Sequence, residues 1–145
     1  MQLRSFLEDK QFKRIPLKKL ATGHYKFIAK VNGVNGEFIL DTGASTSCIG
    51  LDYMLHFNLA SQASDIKAAG AGATGMETQS TENNSFKIPL IKSLKMDFIL
   101  FDLSHVNLAL EQVEEAPVHG IIGADFLKKY RAVIDYGRNC FYISL

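Results

Sequence analysis

Apolar and polar positions alternate with a period of two through much of this chain, the signature of half-buried strands. Tyr25, Phe27, Ala29 and Val31 alternate with polar or lysine positions, interrupted only by Ile28. The stretch Asn32-Gly33-Val34-Asn35-Gly36 then offers residues tolerant of positive φ, so a hairpin is predicted, with Glu37 to Leu40 as its returning strand. Phe86, Ile88 and Leu90, followed by Met96, Phe98 and Leu100, predict two more strands joined near Lys92-Ser93. The unbroken run Phe98-Ile99-Leu100-Phe101 predicts burial on both faces there. Gly120-Ile121-Ile122-Gly123 reads as a short buried strand ending at a glycine, and Ser47-Cys48-Ile49 as another. The chain closes with strands over Arg131–Tyr136 and Cys140–Leu145 around a Gly137-Arg138-Asn139 turn.

Helical spacing is confined to short pieces. Leu3, Phe6 and Leu7 predict one near the start, and Pro16 argues against its continuing through the basic stretch Lys13 to Lys19, where Ile15 and Leu17 alternate as a strand would. Leu51, Met54, Leu55 and Leu59 predict a second. Val106, Leu110 and Val113 predict a third, with Ser104 as its N-cap. Ala124 to Tyr130 predicts a fourth, with Phe126, Leu127 and Tyr130 on its apolar face. The fold class is therefore mainly β, in one domain over 21–145 with residues 1–20 as an extension packed on it. No internal repeat is visible.

Composition narrows the functional classes. A chain of 145 residues can bury a sizeable core. Sixteen Lys and Arg against fifteen Asp and Glu leave a net charge of +1, which gives no electrostatic reason to expect nucleic acid or an anionic membrane as partner. No apolar run approaches the roughly 20 residues that span a bilayer. The first residues mix Leu3, Phe6 and Leu7 with Arg4, Glu8, Asp9 and Lys10, unlike a secretory signal, so a cytoplasmic protein is expected. Cys48 and Cys140 are too few for a disulfide framework and are expected to be reduced thiols near the core.

Two motifs that suggest chemistry do not survive their context. Gly70-Ala71-Gly72-Ala73-Thr74-Gly75 matches the dinucleotide-binding glycine pattern, with Asp97 downstream. That site needs a buried strand before the glycines and a helix after them. Here Ser61 to Lys67 is mostly polar, and Met76 to Asn84 has no apolar helical stripe. Polar strand arms around a glycine-rich tip fit a hairpin better. His105 and His119 near Glu111, Glu114 and Glu115 lack any familiar metal-ligand spacing, so neither metal nor cofactor is expected.

The remaining candidate is Phe38-Ile39-Leu40-Asp41-Thr42-Gly43-Ala44-Ser45-Thr46. Three apolar residues deliver an aspartate into a turn of small residues and hydroxyls. An acid beside a buried strand is costly unless hydrogen bonds surround it, and these residues can provide them. The string resembles the active-site loop of aspartic proteases. Downstream, Gly120-Ile121-Ile122-Gly123-Ala124-Asp125-Phe126-Leu127 resembles the strand and helix near the end of a retropepsin. The resemblance runs from about His24 onward and implies a closed barrel of the acid-protease type, with short helices after the catalytic loop and near the C-terminus.

The resemblance also implies roles. Asp41 would be the catalytic acid, supported by Thr42, Gly43, Ala44 and Ser45. Thr42 would tie two loops together, the Gly43 amide would bond the carboxylate, and Ser45 its outer oxygen. Gly70 to Gly75 would form a flap over substrate, and Ile121, Ile122 and Gly123 would wall the cleft. Ser45 and Thr46 stand where retroviral enzymes carry acidic residues, and Ala124 where they carry an arginine, so the retroviral ion pairs are not expected. Asp41 is the only aspartate followed by Thr-Gly. A reaction needing two carboxylates would then require a symmetric homodimer acting on an extended polypeptide. The competing expectation is a homodimeric peptide-binding module of the same fold with little or no catalysis.

Overall fold

The computed structural model describes residues 1–70 and 73–145, with the backbone alone described over 62–78. The predicted hairpin forms from β3 (Tyr25–Val31) and β4 (Val34–Leu40). Its reversal is two residues long, Asn32 and Gly33, at φ 51° and 81°. Positive φ at both central positions suits the twist of the flanking strands.

Six strands then close on themselves. The parallel pairing of β4 with β9 (Gly120–Ile122) sets Phe38 opposite Gly120 and Leu40 opposite Ile122. β9 runs antiparallel to β5 (Cys48–Gly50), and β5 parallel to β8 (Leu94–Phe101). β8 pairs with β7 (Ala73–Lys87), which returns to β3 through only Lys30↔Lys87 and Val31↔Phe86. The result is a closed barrel, which removes most sheet edges. A long hairpin extends from it, with β6 (Gln62–Gly70) on the outer part of β7 and Gly70 opposite Ala73.

Phenylalanines fill the barrel. Phe38 is fully buried, and its ring centroid lies 5.5 Å from that of Phe86 and 6.4 Å from those of Phe27 and Phe98. Phe98 to Phe101 are all buried, as their continuous apolarity predicted. A second sheet places β11 (Cys140–Ser144) between β1 (Phe12–Pro16) and β10 (Val133–Asp135). β1 pairs with β11 from Phe12↔Ser144 to Pro16↔Cys140, while Ile15 and Leu17 enter the barrel core. Residues 12–16 of the N-terminal segment thus form a sheet strand. Before it, α1 (Leu3–Asp9) buries Leu7 against Cys140 and Tyr142.

Three local expectations are corrected. Leu51 to Leu59 makes only a 3-10 turn at Leu51–Tyr53 followed by further turns. Leu51 and Leu55 stay exposed, Asn58 takes φ 54°, and Phe57 and Leu59 carry the burial. The Phe57 carbonyl accepts from Asn32 Nδ2 at 2.9 Å instead of continuing a helix. Leu90 is fully exposed at φ 67°, in the turn after β7 and not in a strand. Ser104 is the first residue of α2 (Ser104–Glu111) and not its cap. The Asp102 carboxylate accepts from the Ser104 amide at 2.9 Å, which holds this acid below its ordinary range. No helix among the described residues is long and apolar enough to cross a membrane.

Candidate active site

Asp41 leaves the end of β4 where the parallel ladder with β9 finishes. Its backbone N–H donates to Ile122 O at 3.0 Å, continuing the ladder by one step. The chain then bends sharply. Gly43 N–H donates to Asp41 Oδ1 at 2.8 Å, and Ala44 N–H to Asp41 O at 3.2 Å. The first of these is the carboxylate contact the sequence anticipates from Gly43. Thr42, Gly43 and Ser45 are exposed, Asp41 is half-buried, and Ala44 is buried. The expected bond from Ser45 to the outer carboxylate oxygen is absent among the described residues: Ser45 stays exposed, and Asp41 Oδ1 is served by the backbone instead.

The loop is clamped from below. Ala124 N–H donates to Ala44 O at 2.7 Å, so the start of α3 (Ala124–Lys129) is bonded directly to the loop. Gly123 lies so close that a Cβ placed on it would collide with the Ala44 carbonyl. This close approach, rather than any turn, is what requires glycine there. Ile121 and Ile122, expected as cleft walls, are buried within the single chain, Ile122 in the barrel core and Ile121 against Ala44 and Cys48.

Two residues that sequence reasoning passed over make the strongest local network. Ser47 is fully buried, and both its N–H and its hydroxyl donate to Asp125 Oδ1, at 3.0 and 2.7 Å. Gly123 N–H donates to Ser47 Oγ at 2.9 Å, and Phe126 N–H to Asp125 Oδ1 at 2.8 Å. One carboxylate oxygen therefore joins the segment after the loop to the helix beneath it. The sequence signal was an acid in the first turn of a short helix, which is ordinary in itself. Its partner lies 78 positions away and could not be read from spacing.

A cavity of about 380 Å³ opens beside Asp41 and Thr42, walled by Leu17, His24, Tyr25, Leu40, Ile134 and Tyr136. The Tyr25 and Tyr136 rings are 5.0 Å apart, and His24 Nδ1 pairs with Thr22 Oγ1 at 2.6 Å. Of the expected flap residues, Gly70, Ala73, Thr74 and Gly75 lie in the β6–β7 hairpin, while Ala71 and Gly72 fall outside the described residues. Cys48, immediately behind the loop, is a buried thiol whose pKa is pushed up to about 12 by desolvation, so it is protonated and inert. His105 packs against Phe101, whereas His119 stacks on His56. No cluster able to hold a metal occurs among the described residues.

The chain belongs to the aspartyl protease family: the family model matches residues 27–126, from inside β3 through the loop to α3. Its fold is similar to that of a retropepsin-like aspartic protease from Rickettsia conorii, at TM-score 0.58 and 18% identity, with 91% of this chain and 90% of that one covered. It is also similar to the EIAV protease solved with the inhibitor HBY-793, at TM-score 0.51 and 23% identity, covering 72% of this chain and 85% of that one. The retroviral protease-like domain of Ddi1 from Leishmania major matches at TM-score 0.55 and 16% identity, with 81% and 86% covered. A search among curated proteins finds no significant match.

Proposed function

We propose that this protein is an aspartic endopeptidase. In this reading it hydrolyses peptide bonds in extended polypeptides, using a water held between the Asp41 carboxylates of a symmetric homodimer. The observation that carries it is the Asp41 loop itself. A lone Asp-Thr-Gly aspartate is held by the Gly43 amide on a loop whose next residues, Thr42 and Gly43, face solvent. Membership of the aspartyl protease family supports the chemistry. The single copy supports the twofold arrangement, because one chain supplies half of the acid pair.

Each residue then has a task. One Asp41 is ionised and draws the proton from the water, while its mate, protonated, polarises the scissile carbonyl. Sharing one proton between like acids is general to aspartic proteases. Gly43 N–H fixes the carboxylate plane, and exposed Thr42 would meet its twin across the axis. The hairpin tip from Gly70 to Gly75 would fold over the substrate as a flap, its glycines offering backbone groups unobstructed by side chains. Substrate would bind as an added strand, through main-chain hydrogen bonds. Two buried free thiols suit a reducing compartment such as the cytoplasm.

A cleavage assay on a mixed peptide library tests this. Wild type should cut, and Asp41→Asn should abolish hydrolysis while keeping the fold, because the amide oxygen still accepts from Gly43 N–H. Activity per chain should fall on dilution as half-sites separate. Wild type that binds peptides and never cuts them would instead define a binding module.

A further inference from the structure

A second cavity opens away from Asp41. It is a groove of about 610 Å³ on the outer face of the β3–β4 hairpin, within the size range of ligand sites. Ile28, Ala29, Gly36 and Pro89 line it together with Lys30, Lys87 and His119. Ile28 is 59% exposed although it is the one apolar residue out of alternation in β3, so a large aliphatic side chain is spent on solvent. Leu90, next to Pro89 in the chain, is exposed as well.

The charge of the groove is one-sided. Glu37 is the only acid lining it among the described residues, and its carboxylate is already engaged by Lys26 Nζ at 2.8 Å. Lys30 has no carboxylate partner among the described residues, and Lys87 Nζ is held at the rim by Ile88 O at 3.2 Å. Strand β2 (Lys18–Lys19) pairs with β3 and sets Lys18 opposite Lys26. Two lysines beside apolar lining residues complement a ligand that is both apolar and anionic.

Backbone geometry selects the form of that ligand. Along its second edge β3 is paired at Tyr25 and Lys26 by β2, and at Lys30 and Val31 by β7. On that edge Phe27 to Ala29 have no ladder partner among the described residues. Asn32 N–H donates across this edge to Ser85 O, and by the two-residue alternation of a ladder Ile28 presents its own N–H and C=O to the same side. An open groove beside an unpaired stretch of strand suits an extended segment better than an enclosed small molecule.

We infer that this groove is a second binding site, remote from the Asp41 loop, for an extended acidic peptide segment with a large apolar residue. The apolar residue packs on Ile28 and Pro89, and flanking carboxylates meet Lys30 and Lys87. Choosing a peptide as occupant rests on the endopeptidase reading, but binding here needs no turnover. The site would tether part of a polypeptide on the outside of the barrel and raise its local concentration at the reacting loop.

The test uses the full chain carrying Asp41→Asn and a fluorescent peptide of glutamates around a central Leu-Phe pair, read by anisotropy. Binding should be saturable and should weaken as salt rises. Lys30→Glu combined with Lys87→Glu should weaken it by about tenfold or more, and so should Ile28→Asp. Amide shifts in NMR spectra should move at residues 28–30 and 35–37 and stay fixed at 41–45. Equal affinity for a lysine-flanked peptide, no loss in the charge-reversed variant, shifts confined to 41–45, or no binding would each overturn the inference. Displacement of the peptide by free hexanoate alone would also overturn it, in favour of a small-acid pocket. Cleavage is measured separately on the native chain, so an inactive enzyme that still binds here, or an active one that does not, separates this inference from the endopeptidase reading.

Discussion

Asp125→Ala tests whether the brace beneath the Asp41 loop works as described. One oxygen of Asp125 accepts from Ser47 N–H, Ser47 hydroxyl and Phe126 N–H, all within 3.0 Å. Truncation strands all three donors. Phe126 N–H lies in the first turn of α3, and Asp125 itself is exposed, so water can take over there. Ser47 is fully buried, and its amide has no such recourse. Leaving a buried donor unsatisfied costs about 1–3 kcal/mol. In a domain of this size each kcal/mol lowers Tm by about 2–4 °C, so a fall of roughly 2–12 °C is expected. Asp125→Asn keeps an acceptor at the same place and should recover most of that loss. Thermal unfolding followed by circular dichroism, with urea titrations for the free energies, measures both variants. The loop should loosen along with the fold, so Asp125→Ala should lose peptide cleavage more steeply than Asp125→Asn. An Asp125→Ala protein melting within a degree or so of wild type would show that the Ser47–Asp125 network carries no weight.

Other outcomes follow from the same contacts. Gly123→Ala drives a methyl into the Ala44 carbonyl and should both destabilise the chain and displace the loop, whereas Gly137→Ala, with open space around it, should do neither; melting and cleavage assays compare them. His119 is pushed below its ordinary value of 6.5 by burial first and then by neighbouring His56. Its Nδ1 must stay unprotonated to accept from Glu37 N–H at 3.0 Å. A lowered folded pKa means the unfolded chain takes up the proton first. This contribution is therefore complete above pH 6.5 and is lost as pH falls through the lowered value. His119→Asn keeps an acceptor and does not titrate, so its melting temperature should vary less with pH over that window; an unchanged slope would refute the assignment. Cys48 and Cys140 should resist a thiol reagent in the native state and react together on unfolding, as followed by absorbance.

The barrel was legible because its strands announce themselves twice, by alternation in β3 and by unbroken apolarity in β8. The loop was legible because Asp41-Thr42-Gly43 compresses a backbone bend and an acid into three residues. Short pieces were harder. Leu51 to Leu59 has helical spacing, yet Asn32 captures the Phe57 carbonyl from 25 positions away, and tertiary demand overrides local pattern. Leu90 continued an alternation that Pro89 had already ended. The Ser47–Asp125 brace and the groove over Ile28 are products of folding, formed by residues with no mutual spacing to detect. Ile28 was visible as an irregularity, but its meaning depended on the short seam beside it.

The pairing of β1 with β11 joins residue 12 to residue 144, a contact between strands far apart in the chain. Strand β1 cannot pair until β11 is available, so this closure is a long-range contact and a slow one to form. A chain cut short before Cys140 would keep the six barrel strands but leave β1 without its partner. With Phe12 and Ser144 side by side in the folded sheet, linking β11 to β1 and opening the chain at Gly137 is a route to a version in which that contact is local.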